Sequence, residues 1–259
     1  MTGTEKRGLV VQKRDIHVLL EIFEMGVVDR EQAKCVGEFT STTRVNARLL
    51  ALTNVGLLRG FKLGTDGYGR KGLYSLSLKG ANLVHVPYRG LRRGRDETLV
   101  ADFAVMHQLR INDLYCLLKY HPIPINGAKF LRWESFHEPI DARKALVPDG
   151  YVEISTGSTV IAAFLEVDLG HEGRTVWRRK VDNYQEYAAS GEFTKRFAHP
   201  KFRTLVVTDS ERRMKSLRDA TAAITEKIFW FTTLHSVASD GLWSPIWRRV
   251  TGDARQSLL

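Results

Sequence analysis

The sequence predicts an α+β protein built from two successive parts. Three observations predict this class. Apolar residues recur at helical spacing over residues 14–56, an alternating strand follows a glycine-rich turn before residue 76, and strands alternate with helices beyond residue 97. The chain has 259 residues, of which 43% are hydrophobic, so it is long enough for one or two domains with their own cores.

The first helix is predicted from the apolar stripe of Ile16, Leu19, Leu20 and Phe23, and Gly26 ends it. A short second helix follows to about Val36. Asp29 is its expected N-cap and Gln32, three residues later, completes a capping box.

Ser41 is the expected N-cap of a third helix, which Gly56 ends. Val45, Leu49 and Leu52 form its predicted core face. The opposite face carries polar and small residues, namely Thr43, Arg44, Asn46, Ala47 and Arg48.

Residues 57–63 and the run LYSLSL, separated by the turn GTDGYGRKG, predict a two-stranded hairpin. Three helices followed by a hairpin is the order of a winged helix-turn-helix, whose third helix enters the major groove of DNA. Thr43, Arg44, Asn46 and Arg48 are therefore predicted to contact DNA, because arginine and asparagine make bidentate contacts to guanine and adenine. We expect Arg70 and Lys71, at the hairpin tip, to meet phosphate or the minor groove. A protein-interaction module with a solvated polar face is the alternative.

The positive charge is concentrated in the same part of the chain. Residues 1–95 hold 17 Lys and Arg against 8 Asp and Glu, whereas residues 96–259 hold 22 against 21. This imbalance predicts a polyanionic partner, and double-stranded DNA fits it. Residues 1–88 are assigned to the DNA-binding domain, residues 89–96 to a basic linker and residues 97–259 to a second domain. Arg92 and Arg93 in the linker either track the DNA backbone or belong to a simple hinge.

The second domain is predicted as helix, three strands, helix, strand, helix and strand, which indicates a mixed sheet with helices on its faces. A long helix runs from Glu97 to Tyr120, and a strand ending near Glu134 follows. In the helix SERRMKSLRDATAAI the basic residues are expected on the outer side; they are Arg212, Arg213, Lys215 and Arg218. The Trp-rich tail after residue 242 gives no clear pattern and is assigned to packing, with a nucleic-acid stacking role as the weaker alternative.

Acidic residues flank two neighbouring predicted strands. Asp149 precedes the run GYVEI, and Glu166 and Asp168 end the run TVIAAFLEVD, where alternation places both side chains on one face. Three carboxylates that converge repel one another unless a hard divalent cation or a cationic side chain lies among them. Lys180, in the helix that follows, lies between Trp177 and Tyr184 at helical spacing and so near the inward side.

Several classes of protein are not supported by the sequence. The glycine-rich turn lacks the GK[ST] ending of a phosphate-binding loop, so no nucleotide cofactor is expected. Cys35 and Cys116 lie in apolar segments without the spacing of a zinc site, which indicates buried free thiols and a reducing cytoplasm. No apolar run has the length of a membrane span or of a signal peptide.

The order of these elements, with Pro148–Asp149 and Glu166-x-Asp168, resembles the restriction-endonuclease-like PD-(D/E)xK fold. The whole chain from about residue 14 to 249 resembles the replication-relaxation family of plasmid and mobile-element proteins. The resemblance rests on the winged helix at 14–85, HQLRIND at His107–Asp113, VPDGYVEI, FLEVDLG, KVDNYQEY and the late FTTL strand. It implies an N-terminal winged helix-turn-helix followed by a PD-(D/E)xK-like mixed-sheet α/β domain.

Asp168 stands where that nuclease motif has its lysine, so two interpretations follow. In the first, Lys180 replaces the lysine, while Asp149, Glu166 and Asp168 hold Mg²⁺ or Mn²⁺ and Glu134 assists, which would make the protein a metal-dependent endonuclease. In the second, catalysis is lost, and Lys180 or Arg178 neutralises the acids.

The leading functional hypothesis is a DNA-binding protein of a plasmid or mobile element that acts in replication initiation, relaxation or mobilisation. A homodimer and replication or mobilisation proteins are the partners considered. A relaxase mechanism is not supported, because no two histidines are spaced as His-x-His. The alternatives are a transcriptional regulator with a dimerising or sensing second domain, an active endonuclease, and a protein-only adaptor.

Overall fold

The computed structural model describes residues 9–64, 70–89, 102–141, 145–157 and 159–259. It divides into two compact units, residues 1–116 and 117–259. The division falls inside a long helix. Arg92 and Arg93 lie outside the described residues, as do residues 65–69 of the predicted wing.

The first unit contains α-helices, a small sheet and the first part of the long helix. Its elements in chain order are α1 (Lys13–Met25), β1 (Val28–Asp29), α2 (Arg30–Val36), α3 (Thr42–Asn54), β2 (Leu58–Gly64), β3 (Arg70–Leu76), α4 (Leu78–Leu83) and α5 (Asp102–Tyr120).

The helix starts follow the predicted capping residues. Asp29 accepts the Gln32 backbone N–H at 2.8 Å and the Gln32 side chain accepts the Asp29 N–H at 3.1 Å, which is a capping box. Ser41 caps α3 through the Arg44 N–H. These bonds satisfy backbone donors that a helix start leaves without intrahelical partners.

The three strands form an antiparallel sheet in the order β1-β3-β2. Phe61 pairs with Leu73, and Val28 pairs with Tyr74. The sequence analysis did not predict β1 or α4, because a two-residue strand and a six-residue helix carry almost no periodic signal.

The first part of α5 is fastened to the first unit by buried polar contacts. The Asn112 amide donates to the carbonyls of Met25 and Val27, at 3.1 and 2.6 Å, and the Tyr115 hydroxyl donates to Glu21. The Gln32 amide donates to the Leu109 carbonyl. The compact unit that contains these contacts extends to residue 116.

The second unit is a mixed sheet with helices. After α5 come β4 (Lys129–Glu134), β5 (Gly150–Ser155), β6 (Val160–Asp168), α6 (Arg174–Ala189), α7 (Glu192–Phe197), β7 (Arg203–Thr208), α8 (Glu211–Ala222), β8 (Phe229–Thr233), α9 (Leu234–Asp240), β9 (Trp247–Arg249) and β10 (Arg255–Gln256). The α+β class with a mixed sheet is therefore confirmed.

The sheet order is β10-β9-β8-β7-β6-β5-β4. The central pairs β6–β7 and β7–β8 are parallel, and the outer pairs are antiparallel. The parallel connections run through helices, as parallel strands require. The C-terminal tail, which gave no clear sequence pattern, supplies β9 and β10, which extend one edge of the sheet.

One face of this sheet carries the main core, which is rich in aromatic side chains. Phe164, Val206 and Phe231 from three neighbouring strands pack with Trp177 and Tyr184 of α6 in one buried cluster. The Trp177 indole N–H donates to Thr221 of α8 at 2.9 Å, so its polar atom is satisfied inside the core. Tyr184 and Tyr187 are fully buried, as the sequence analysis expected for core residues.

Both cysteines are free thiols; Cys116 is buried and Cys35 is half-buried. In the part of the chain that the structure describes, no helix is both long and apolar enough to cross a membrane.

Candidate functional site

The outer face of α3 is exposed as the sequence pattern predicts. Val45, Leu49 and Leu52 are buried, whereas Thr43, Arg44 and Asn46 are exposed. The Arg44 guanidinium donates to the Thr40 hydroxyl at 3.0 Å. Two of the predicted DNA contacts with recognition chemistry, Arg44 and Asn46, therefore face solvent on one helix.

Arg48, the third such residue, is held inside the first unit. Its guanidinium forms a two-point ion pair with Asp15 of α1 and donates to the Val10 carbonyl at 2.9 Å. Burial on its own raises the pKa of Asp15, but the hydrogen bonds from Arg48 and the Gln12 N–H outweigh burial and lower it. Arg48 therefore joins α3 to α1, and nothing in the sequence near Arg48 indicates this partner.

The predicted wing residues begin the returning strand beside α3. Arg70 is the first residue of β3. The Lys71 ammonium lies 2.5 Å from the Asp29 carboxylate and is 43% exposed. Asn46, Lys71 and Tyr74 line a shallow cavity of about 270 Å³ together with residues 29–31. Part of the Lys71 charge is thus neutralised by a helix-capping acid.

The second group of predicted site residues lies at the carboxyl end of β6. Glu166 is 1% exposed and its two oxygens are both engaged. The Lys180 ammonium donates to Glu166 Oε2 at 2.9 Å, and the Tyr184 hydroxyl donates to Oε1 at 2.6 Å. Lys180 also donates to Glu172 at 2.9 Å. The structure thus brings Lys180 to Glu166, and it adds Tyr184 and Glu172, which the sequence analysis did not assign to this group.

The charges of this buried group are strongly coupled. Burial raises the pKa of Glu166 to about 7, against the opposing effect of Lys180, and the negative charge of Asp149 adds to the rise. Burial alone would lower the pKa of Lys180, but Glu166 and Glu172 outweigh burial and raise it. Burial therefore favours the neutral carboxyl of Glu166, whereas the neighbouring acids keep the Lys180 ammonium protonated.

Asp168 has a different partner from the one considered in the sequence analysis. Arg213 of α8 binds both carboxylate oxygens, at 2.6 and 2.7 Å, and also donates to the Glu172 carbonyl. Arg213 was expected on the outer side of its helix, and that expectation was wrong, because its side chain is only 14% exposed. Arg218 was also wrongly placed there; it is buried and donates to the carbonyls of Arg249 and Gly252.

Of the two remaining predicted acids, Asp149 lies beside Glu166, whereas Glu134 belongs to a separate ion-pair group. Asp149 immediately precedes β5, and its carboxylate accepts the Val167 N–H at 2.7 Å, which places it next to Glu166 in the neighbouring strand. Glu134 lies on β4, where Arg132 and Arg196 hold its carboxylate. It contributes to a separate ion-pair group.

The predicted metal set of Asp149, Glu166 and Asp168 does not form a ready site in this arrangement. Both oxygens of Glu166 and both of Asp168 are bonded to protein donors. Among the described residues, no three His, Cys, Asp or Glu side chains are grouped so that they could hold a metal ion. Cationic side chains therefore lie among these acids and offset their mutual repulsion.

Comparison with known proteins gives one match. Residues 28–199 match the family model described as Replication-relaxation. No curated protein and no solved structure matches the chain. The matched range includes α3, the hairpin, and the strands and helix that carry Asp149, Glu166 and Lys180.

Proposed function

The chain belongs to the replication-relaxation family, and from this premise we propose that it is a double-stranded-DNA-binding protein. Family membership indicates a role in the replication or relaxation of plasmid or mobile-element DNA. The finer proposal is that the first unit is a winged helix-turn-helix and that α3 is its recognition helix.

The observation that carries this proposal is the exposed polar face of α3. Arg44 and Asn46 are both exposed and lie two residues apart. They are near the start of the helix, where a recognition helix meets base edges. Arg44 forms no ion pair with a described carboxylate; its guanidinium donates to the neutral Thr40 hydroxyl. It is therefore available to a DNA acceptor at little electrostatic cost.

The hairpin and the charge distribution support the same proposal. β2 and β3 follow α3 directly and pair antiparallel over their whole length, as the strands of a wing do. Residues 1–95, which include α3 and the hairpin, hold 17 Lys and Arg against 8 Asp and Glu. A protein-only adaptor has no need of this charge.

The test is binding of purified full-length protein to its specific site and to random DNA, followed by fluorescence anisotropy. Arg44→Ala and Asn46→Ala should each weaken binding to the specific site by about tenfold or more, because each lost bidentate contact is worth ~1–3 kcal/mol, and should weaken binding to random DNA less. Arg178→Ala, which removes an exposed arginine from α6, is the control and should change neither affinity. Equal losses on both DNAs would remove the base-reading role of α3.

A second candidate function, a metal-dependent endonuclease, is favoured by one specific contact. The Lys180 ammonium lies 2.9 Å from Glu166, beside Asp149, in the part of the sheet where the nuclease motif has its lysine and acids. Lys180 and Glu166 neutralise each other's charge, and this argues against the endonuclease function. Nicking of supercoiled plasmid from the host element, with Mg²⁺ or Mn²⁺ added, separates the two functions.

For that assay the informative variants are Glu166→Gln and Lys180→Met, which keep side-chain size, with Glu134→Gln as the matched control outside the group. The DNA-binding proposal predicts intact plasmid with all four proteins. Nicking by the wild type and by Glu134→Gln, lost in the other two, would establish the endonuclease instead.

A further inference from the structure

A cavity of about 410 Å³ lies at the end of the sheet opposite to Glu166 and Asp168. Residues 159–162 line it at the start of β6 and residues 201–203 at the start of β7. Ile228 and Trp230 line it at the start of β8, and Arg249 at the end of β9. Its volume falls in the range of small-ligand sites. None of its residues belongs to the group around Glu166.

The sheet register places three of the lining side chains on one face. Leu205 pairs with Trp230, so Arg203, two residues before Leu205, shares the face of Trp230. Arg249 pairs directly with Trp230 from the other neighbouring strand. Each guanidinium carbon lies 4.7 Å from the centroid of the Trp230 ring. The indole is thus flanked by one arginine from each neighbouring strand.

The charge of the cavity is not balanced by protein groups. Of the described residues that line it, Lys201, Arg203 and Arg249 are cationic and none is acidic. None of these three forms an ion pair with a described carboxylate; Arg203 donates to the Leu258 carbonyl at 2.5 Å. Burial, and then the charge of Arg249, lowers the pKa of Arg203. Two arginines held close together in partly buried positions favour a bound anion.

Trp230 supplies an independent sign of a missing ligand. It is 7% exposed, and its indole Nε1 has no hydrogen-bond partner in the part of the chain that the structure describes. Buried N–H donors without a partner are rare in folded proteins. The Nε1 atom is itself closed to solvent, so an acceptor oxygen bound in the cavity would become its partner only after the side chains around it move apart.

We propose that this cavity binds a phosphate group, held by Arg203, Arg249 and the Trp230 indole N–H. Arginine forks match the tetrahedral oxygens of phosphate and are the usual protein partners of phosphate esters. The phosphate belongs either to a DNA strand or to a small phosphate ester. The proposal does not depend on the role of α3, which lies in the other unit.

The test uses the full-length protein and inorganic phosphate as the probe. Thermal unfolding and tryptophan fluorescence are measured in potassium phosphate and in potassium chloride at equal ionic strength. Phosphate should raise the melting temperature of the wild type in a saturable way, because a ligand that binds only the folded state stabilises it. Trp230→Phe keeps an aromatic ring at this position and removes the indole N–H donor. Arg249→Gln removes one cation. Each should weaken phosphate binding, Arg249→Gln by about tenfold.

Arg255→Gln is the matched control, because it removes an exposed arginine of β10 that does not line the cavity. Melting temperatures in chloride establish that each variant is folded. Competition then identifies the source: displacement of phosphate by a duplex oligonucleotide assigns the site to DNA, and displacement only by a nucleoside monophosphate assigns it to a small ester. Two outcomes would overturn the proposal and mean an adventitious ion only. One is an equal melting temperature of the wild type in phosphate and in chloride; the other is an equal loss of phosphate binding in Arg249→Gln and Arg255→Gln.

Discussion

At the scale of single residues, a charge can have the right chemistry for DNA and still be used inside the fold. Arg48 is an arginine of α3 like Arg44 and lies about one turn further along the helix. Its guanidinium, however, is held by the buried Asp15. A buried carboxylate needs a partner, since an unpaired buried charge is costly. We therefore assign Arg48 to the packing of α3 on α1, which sets the position of the exposed face.

This ion pair predicts a pH dependence of stability. The folded state lowers the pKa of Asp15, so the unfolded chain takes up a proton at this site first as pH falls. The stabilisation is fully present above the unfolded pKa of about 4 and is lost as pH falls through the lower folded value. Urea denaturation of the wild type should show this loss between about pH 5 and pH 2.

Asp15→Asn removes the titrating group and should flatten the same pH range. It should also lower stability at neutral pH by about 3 kcal/mol, because it leaves Arg48 without its anionic partner. Asp182→Asn is the control, since Asp182 is an exposed aspartate of α6 and lies outside this ion pair. An unchanged pH profile in Asp15→Asn would show that the pair does not contribute to stability.

At the scale of elements, the position of α4 depends on Gly80, a residue without a side chain. Ser77 caps the helix through the Gly80 N–H and donates its hydroxyl to the Gly56 carbonyl. A Cβ atom built on Gly80 would lie 2.2 Å from the Leu57 carbonyl oxygen. Real Cβ atoms do not approach a backbone oxygen so closely, so only glycine permits this contact between α4 and the start of the hairpin.

Gly80→Ala should therefore destabilise the protein by about 1–3 kcal/mol, the usual cost of overpacking a tight contact. Thermal and urea denaturation measure this. Gly60→Ala is the matched control in β2, where the added Cβ would meet Thr53 at an ordinary 3.8 Å, and it should be close to neutral. Equal stability of the two variants would mean that α4 shifts freely to admit the methyl group.

At the scale of the whole molecule, charge is distributed unevenly along the chain. The net charge is +10, and nearly all of it belongs to residues 1–95. In both units some acids and bases pair with each other, as Arg48 does with Asp15 in the first unit and Asp168 with Arg213 in the second. Electrostatic attraction to DNA is thus expected to come mainly from residues 1–95.

This asymmetry predicts strongly salt-dependent DNA binding. With about four phosphates neutralised, affinity for a random duplex should fall about a hundredfold between roughly 50 and 200 mM KCl, because bound counterions are released on binding. Anisotropy titrations over that range measure the slope. Affinity that does not change with salt would instead fit the protein-only adaptor.

The sequence by itself determined the order of the main helices and strands, the caps of α2 and α3, and which face of α3 is buried. It also placed Asp149 beside Glu166 and brought Lys180 toward them. These features depend on short-range periodicity and on neighbouring strands, which local residue patterns report.

Only the tertiary structure decided which charges are paired and which remain available. Arg48 and Asp15 are 33 residues apart in sequence, and Arg213 and Asp168 are 45 apart, so no local pattern connects them. The cavity at Arg203, Trp230 and Arg249 likewise exists because β9, from a tail without a readable pattern, pairs with β8. Partners of this kind are selected by packing between distant segments, and helical or strand periodicity carries no information about them.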